Sequence, residues 1–428
     1  MKKGKRYLLW IFAAFLVGML FPRAYSAVDQ TYQQLRVLVE VLELVRDNYV
    51  DQVDTKKLIY GAAEGVIRQL DDFSQFMDPE VNKRVKSDTE GEFGGLGISI
   101  VSRDGYITVV SPTPGTPAYK AGIMPNDRII KIEGESTKDM FPDDAVKKLR
   151  GAVGTKVKFT VAREPEGKTP GAPWAVKEYE LERAKIVPEV ASYKLLDDKI
   201  GYLRLADFSG HMMDEAADGL AAMKKKGMEA LVVDLRFNPG GLVVGAVDLT
   251  KLFLSDNKMI VYTKGRKPEN YQEFRSGRAA PYAGLPLVVL VNGGSASSSE
   301  IVAGALQDNK RAVIIGSRTF GKASVQSIIP LSDGSGLRLT VAHYYTPNGK
   351  SIHRDPKTGI GGIVPDIALD ISPEADARSI RQKDQIHTPG KEPVSAVKPE
   401  DMVKDEALAR AVEILKARDA FINLKPAQ

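Results

Sequence analysis

The sequence predicts an α/β and α+β multidomain protein, with an α/β core, a smaller β-rich domain inserted before it and helical arms at both ends. Three patterns carry that prediction. From about Lys185 to Leu369, strand-length apolar runs alternate with amphipathic helical stretches, which argues for a largely parallel sheet with crossover helices. Between about Gly91 and Arg183 the texture changes to short alternating strands separated by glycine turns. At the two ends apolar residues return at helical spacing. A chain of 428 residues at roughly 100 to 200 residues per domain holds about two or three domains.

The chain opens on Lys2, Lys3, Lys5 and Arg6, followed by an apolar run from Tyr7 to Phe21 and then PRAYSA, with small residues Ala24 and Ser26. Residues 1–27 therefore read as a secretory signal peptide, or as an anchor if uncleaved, because the run is short of the roughly 20 residues a membrane span needs. Membrane contact is expected at most through this segment. The formal charge of +5 is largely an export feature: Lys2, Lys3, Lys5, Arg6 and Arg23 stand there without an acid. That removes the main electrostatic case for a nucleic-acid partner. There is no cysteine, so disulfides, thiolate nucleophiles and cysteine-held metals are excluded, and no metal or other cofactor is expected.

Residues 28–88 read as a helical region, with Leu35, Leu38, Leu42, Val45 and Tyr49 on one face and a second helix near Leu58 to Leu70. A dimerisation arm or a scaffold for the catalytic domain would explain this periodicity, and a helix packed on its own core explains it at least as well.

Residues 89–184 form the β-rich domain. A strand follows Gly95-Leu96-Gly97-Ile98, a turn sits at Asp104 and Gly105, and a second strand leads to a short helix near Pro117 to Ala121. A strand at Arg128 to Ile132, a helix at Asp143 to Arg150 and a strand at Lys156 to Ala162 complete it, with Glu164 to Trp174 as an extended hairpin loop. The segment resembles a PDZ domain on the strength of GLGI together with the run from Ala121-Gly122-Ile123 through Asp127, Ile129 and Ile130. Glycines let successive N–H groups of Gly95, Leu96, Gly97 and Ile98 converge on one carboxylate, and the next strand has an open edge for an extended peptide. The expected ligand is an apolar C-terminal tail; a glycine hairpin in any small β-domain is the plainer reading.

Residues 185–370 form the core. Strands are expected at Ile200 to Leu205, Ala230 to Leu235, Leu287 to Val291, Ala312 to Ile315 and Gly336 to Tyr345, and helices at His211 to Lys226, Gly245 to Leu254 and Glu300 to Gln307. Residues 371–403, rich in Pro, Lys, Asp and Glu, read as a mobile linker. Residues 404–428 carry a last amphipathic helix, DEALARAVEILK.

Chemistry concentrates where a strand of this core runs into VNGGSASSSEIVAGALQD and places Ser297 at a turn. A serine nucleophile needs a proton acceptor at neutral pH, and the usual one is histidine. Of the four histidines, His387 lies in the linker, His353 in a polar loop, His211 at a helix start and His343 inside a strand. Lysine is the alternative base, provided burial lowers its pKa from about 10.4. In GSRTFGKASVQSIIP, Lys322 has Phe320, Val325, Ile328 and Ile329 around it and no carboxylate, and Gln326 can reach the same face to orient the amine. Plainer readings exist for each. Ser297-Ser298-Ser299-Glu300 matches a capping box, and Lys322 fits a surface lysine after a glycine turn. In DLRFNPGG, Gly240 and Gly241 permit close backbone approach and with the N–H of Ser298 could form an oxyanion hole, or make an ordinary β-α turn.

Together these segments resemble the carboxy-terminal processing proteases, serine peptidases with a Ser-Lys dyad. The likeness covers nearly the whole mature chain and includes YVDQVD, the PDZ segment, DLRFNPGG, GSASSSEIVAGALQD, GSRTFGKASVQ, YYTPNGKSIH and GIVPDI. It implies a crotonase/ClpP-like core acting as an exported, periplasmic or cell-envelope endopeptidase without ATP, with Ser297 as nucleophile, Lys322 as general base and Gln326 as its orienting partner. Two positions depart from the family pattern. Ser298 stands where alanine is usual, and the family's LDPHS appears as Leu70-Asp71-Asp72-Phe73-Ser74. Two rivals are a PDZ-bearing scaffold without activity and an acyl-transfer enzyme on the same core. A homodimer through the helical arms and an adaptor protein are left open.

Overall fold

The computed structural model describes residues 32–113, 115–124, 126–164, 173–355, 357–386 and 403–422. The expected export segment 1–27 and His387 lie outside them, as do most of the residues of the Glu164 to Trp174 loop. The chain separates into two compact units, Met1–Asp78 and Pro79–Gln428.

The first unit contains α1 (residues 32–48), α2 (Thr55–Ile67) and a short strand β1 (Gln75–Met77). Asp54 caps α2 by accepting the Lys56 N–H at 2.8 Å, and Tyr60 meets Phe76 edge to face at 5.0 Å between centroids. In the divergent Leu70 to Ser74 motif, Asp71 accepts the N–H groups of Phe73 and Ser74 at 2.8 and 2.7 Å, so its carboxylate helps to hold the turn. Leu35, Leu38, Val41 and Leu44 of α1 are exposed.

The second unit begins with α3 (Pro79–Glu90) and β2 (Phe93–Gly95). Then come β3 (Ile98–Arg103), β4 (Tyr106–Pro112), α4 (Pro117–Lys120), β5 (Arg128–Ile132), β6 (Glu135–Ser136), α5 (Pro142–Leu149), β7 (Lys156–Arg163), β8 (Ala175–Glu182) and β9 (Ala184–Ile186). Strands β3-β4-β5-β7-β8 form one antiparallel sheet over a core of Leu96, Ile107, Val109, Ile129, Ile132, Leu149, Val157 and Phe159. Antiparallel pairing of β7 with β8 runs to Arg163↔Ala175, so the strands on either side of the expected loop do form a hairpin. Strand β3 is the outer strand of this sheet. β2 pairs with β9, joining the two chain segments that enter and leave the domain.

The core that follows holds β10 (Ala191–Leu195), β11 (Ile200–Leu205), α6 (Met212–Lys225), β12 (Ala230–Asp234), α7 (Val243–Lys251), β13 (Met259–Gly265), β14 (Gln272–Arg275) and β15 (Leu287–Val291). After these come α8 (Ser298–Asp308), β16 (Val313–Gly316), β17 (Ser324–Pro330), β18 (Gly336–Tyr345), β19 (Ile367–Ala368), α9 (Pro373–Ile386) and α10 (Glu406–Ile422). The main sheet has the order β10-β11-β12-β15-β16-β19, parallel except for β10 against β11. Its strands alternate strictly between two apolar layers. Leu203, Leu231, Val233, Leu287 and Val289 face the layer of α6, α7 and α8, whereas Ile200, Tyr202, Val232, Val288 and Leu290 face Ala407, Ala411 and Leu415 of α10. With both faces covered, these strands read in sequence as unbroken hydrophobic runs. A second, antiparallel sheet sets β17 and β13 on either side of β18, with β14 beyond β13.

Two expectations change. The stretch read as a linker starts with α9, whose Asp376, Ser379 and Ile380 are buried, because a polar sequence still forms a helix when a few positions dock. The C-terminal helix spends its apolar face on its own core rather than presenting it as an arm.

Candidate active site

Strand β15 ends at Val291, and the turn after it delivers Ser297 at the start of α8 with φ 53° and ψ −111°, a conformation that costs a non-glycine residue about 1–3 kcal/mol. Surrounding bonds hold it there. The Asn292 N–H donates to Ser295 Oγ, whose hydroxyl donates to the Leu235 carbonyl at 2.8 Å; the Ala296 N–H and the Ser299 hydroxyl both donate to the Asn238 carbonyl at 3.0 Å. Ser298, fully buried, donates its hydroxyl to the Gly241 carbonyl at 3.0 Å. The turn carrying Ser297 and the turn Phe237 to Gly241 are thus stitched into one body.

Gly240 is required by space: a Cβ there would sit 2.8 Å from Ser297 Cβ and 2.9 Å from the Ala296 carbonyl oxygen. Its N–H already donates to Asn238 Oδ1 at 2.9 Å, because the asparagine side chain folds back over its own turn. The expected oxyanion role of Gly240 is corrected accordingly. It contributes absence of bulk, while among the described residues the N–H groups of Gly241 and Ser298 donate to no protein acceptor.

Glu300 is the residue that sequence reasoning missed as part of the site. It is fully buried, and its Oε2 accepts the main-chain N–H of both Ser297, at 2.8 Å, and Lys322, at 2.9 Å. Oε1 accepts the Thr319 hydroxyl at 2.6 Å and the Gly321 N–H at 2.7 Å. One carboxylate therefore fastens the backbones of the two sequence-predicted residues to each other. Burial pushes its pKa up from the usual carboxylate value, while the four donors pull the other way. The capping-box spacing Ser297-x-x-Glu300 was the available signal; it read as a helix cap alone.

Lys322 is half-buried, and burial first, then the charge of Arg338, lower its pKa from the ordinary lysine value. The direction and its leading cause, burial, agree with the expectation, but the surroundings differ. Phe320, Ile328 and Ile329 are themselves exposed, and a carboxylate does stand beside the lysine, although on its backbone. β17 starts only at Ser324, so the alternation that puts Ser324 and Gln326 on one face does not extend to Lys322. Gln326 lies opposite Thr340 in the β17–β18 ladder. His343 and His353 stand against each other, ring centroids 4.9 Å apart. Among the described residues no cluster of three or more His, Asp or Glu side chains could hold a metal.

The second candidate site is the groove between β3 and α5, lined by Gly95, Leu96, Gly97, Ile98, Ile100, Val146, Leu149 and Arg150 and enclosing about 80 Å³. At its closed end the carbonyls of Leu96 and Gly97 are taken by the N–H groups of Ala118 and Thr113, at 3.1 and 2.8 Å. Among the described residues the N–H groups of Leu96 and Gly97 meet no protein acceptor. Gly97, at φ +72°, has Thr116 so close that a Cβ would fall 2.4 Å from its methyl group.

Three sequence profiles match the chain: Peptidase family S41 over residues 199–369, PDZ domain over 84–162, and the activating protease CtpB N-terminal domain over 21–81. The carboxy-terminal-processing protease of Bartonella bacilliformis is 40% identical over 374 residues, covering 86% of this chain and 83% of its own. Carboxy-terminal processing protease CtpA of Bacillus subtilis is 34% identical over 358 residues, covering 83% and 72%. An S41-type protease structure from Bacteroides fragilis superposes with a TM-score of 0.51 at 16% identity, over 88% of this chain and 97% of that one, a likeness of fold.

Proposed function

The chain belongs to the carboxy-terminal-processing proteases, serine peptidases of family S41 with a PDZ domain, and from that premise we propose that Ser297 is its nucleophile and Lys322 its general base. Gln326 orients the lysine, and the Gly241 and Ser298 N–H groups receive the oxyanion. The observation that carries this reading is the Glu300 carboxylate, which binds the backbones of Ser297 and Lys322 at one oxygen atom.

The steps follow from the residues. A substrate tail lies along the free edge of β3 with its carboxylate at the Leu96 and Gly97 amides. Neutral Lys322 takes the proton of the Ser297 hydroxyl as its oxygen attacks the scissile carbonyl, and the positive end of α8 with two free N–H groups favours the charge that develops. The lysine then gives that proton to the leaving amine, and an acyl-enzyme remains. Water, deprotonated by the same amine, releases the acid and restores the serine. A lysine base must be neutral at working pH, and burial and Arg338 lower the Lys322 pKa in that direction.

The amino-terminal charge and hydropathy pattern supports export to the cell envelope. The exposed apolar residues of α1 suit pairing with a second copy.

Cleavage of a protein with an apolar C-terminal tail tests the proposal. Ser297→Ala and Lys322→Ala should each abolish it while tail binding persists. Cleavage by either purified variant removes the dyad; a wild-type protein that binds tails and cuts nothing is the scaffold instead.

A further inference from the structure

The two turns of the proposed site are also joined from behind, through the side chain of Asn292. Its Oδ1 accepts the N–H of Phe237 and the N–H of Gly294, both at 2.9 Å. Phe237 opens the oxyanion turn in a left-handed conformation, φ 55°, and Gly294 opens the turn of the nucleophile. One amide oxygen therefore sets the spacing between them. An asparagine side chain has a second orientation, rotated by half a turn, in which its NH2 would face these two N–H groups with nothing to accept.

The group that selects the first orientation comes from outside the matched catalytic region, which ends at residue 369. Asp376, buried in α9, accepts Asn292 Nδ2 on its Oδ2 and Arg236 Nη1 on its Oδ1, each at 2.6 Å. Arg236, directly before Phe237, is held further by Asp234 and by Asp405 at the start of α10. The guanidinium keeps two carboxylates without Asp376, whereas Asn292 would lose its acceptor there.

We infer that Asp376 is a positioning residue for catalysis: a carboxylate supplied by the C-terminal segment that locks the Asn292 amide so that the oxyanion turn and the nucleophile turn keep their register. It touches no substrate. The inference rests on the proposed roles of these turns.

Asp376→Asn preserves shape but points an amide at an amide. With its oxygen kept on Arg236 it brings NH2 against NH2 and drives Asn292 to rotate. Exchanging the two groups, in Asn292→Asp with Asp376→Asn, restores every pairing: the new carboxylate accepts from Phe237, Gly294 and the new amide, and that amide's oxygen accepts from Arg236. The measurement is kcat and KM on a tailed substrate for full-length wild type, the single variant and the double variant, with melting temperature and tail binding alongside.

A turn displaced by about 1 Å costs up to roughly a hundredfold, so the single variant should lose about tenfold to a hundredfold in kcat at unchanged KM. The double variant should recover most of it. An unaffected single variant overturns the inference. So does a double variant as impaired as the single one, or a loss that merely tracks the fraction unfolded. A wild type that cleaves nothing would instead remove the proposed function on which the inference stands.

Discussion

The groove of the PDZ domain and the turn carrying Ser297 are both made of glycine-rich backbone after or before a strand, yet they are held in opposite ways. The groove is built from nearly contiguous chain, residues 93–100 with one helix, and the donors it presents are main-chain amides beside an open sheet edge. The turn of Ser297 is assembled from segments around 204–241, 291–300 and 319–322, with Asp376 and Asp405 behind them, tied by buried polar side chains. A backbone edge recognises any extended peptide and depends on few side chains. A catalytic turn needs sub-ångström placement, and buried hydrogen bonds supply it because leaving one unmade inside a protein costs about 1–3 kcal/mol. Changes at the turn should therefore act on kcat and stability, and changes at the groove on KM.

The largest departure is expected for Glu300→Gln, which replaces an acceptor-only group under four donors with one that carries two donors of its own. Leaving one or two buried donors unmatched should lower unfolding free energy by about 2–4 kcal/mol in denaturant titration. Misplacing Ser297 against Lys322 should cut kcat by about a hundredfold. Normal kcat with normal stability would mean that the carboxylate does not hold the two segments together.

Next comes Gly97→Ala. The positive φ and the Thr116 methyl oppose a Cβ, and a strain of about 1–2 kcal/mol corresponds to roughly tenfold weaker tail binding. KM should rise by that factor while kcat stays put. A fall in kcat with unchanged KM would break the division between the two regions.

The smallest is a shift along the pH axis. Arg338 disfavours a second positive charge on Lys322 and so lowers its pKa. Arg338→Gln removes that repulsion, the pKa rises, and the pH of half-maximal kcat should move to the alkaline side with the plateau rate little changed. An acid shift would contradict the assignment of the limb to Lys322.

The same contrast explains what could be read in the sequence. Strands β5, β11, β15 and β18 were legible to the residue: β11 and β15 as unbroken apolar runs covered on both faces, β5 and β18 as apolar and β-branched runs ended by turn residues. The GLGI loop was legible because its parts are neighbours in the chain. Ser297, Lys322 and Gln326 could be singled out as residue types in family-like segments, but what fastens the first two could not, because a capping box is a local motif and Glu300 uses it to reach residues 319–322. That the Gly240 N–H is already taken was not legible, because its acceptor is the side chain of Asn238, two residues away, folded back over the turn. α9 was invisible since only a few buried positions recommend it, and its Asp376 works through Arg236 and Asn292, far away in sequence.

The central claim is that one hydroxyl reacts because one lysine is neutral beside it. Mass spectrometry after treatment with a fluorophosphonate measures this directly. The account predicts a single adduct, on the peptide containing Ser297, whose rate of formation rises with pH along a limb below the ordinary lysine range and collapses in Lys322→Ala. An adduct on another serine, or undiminished labelling of Ser297 in Lys322→Ala, would contradict it.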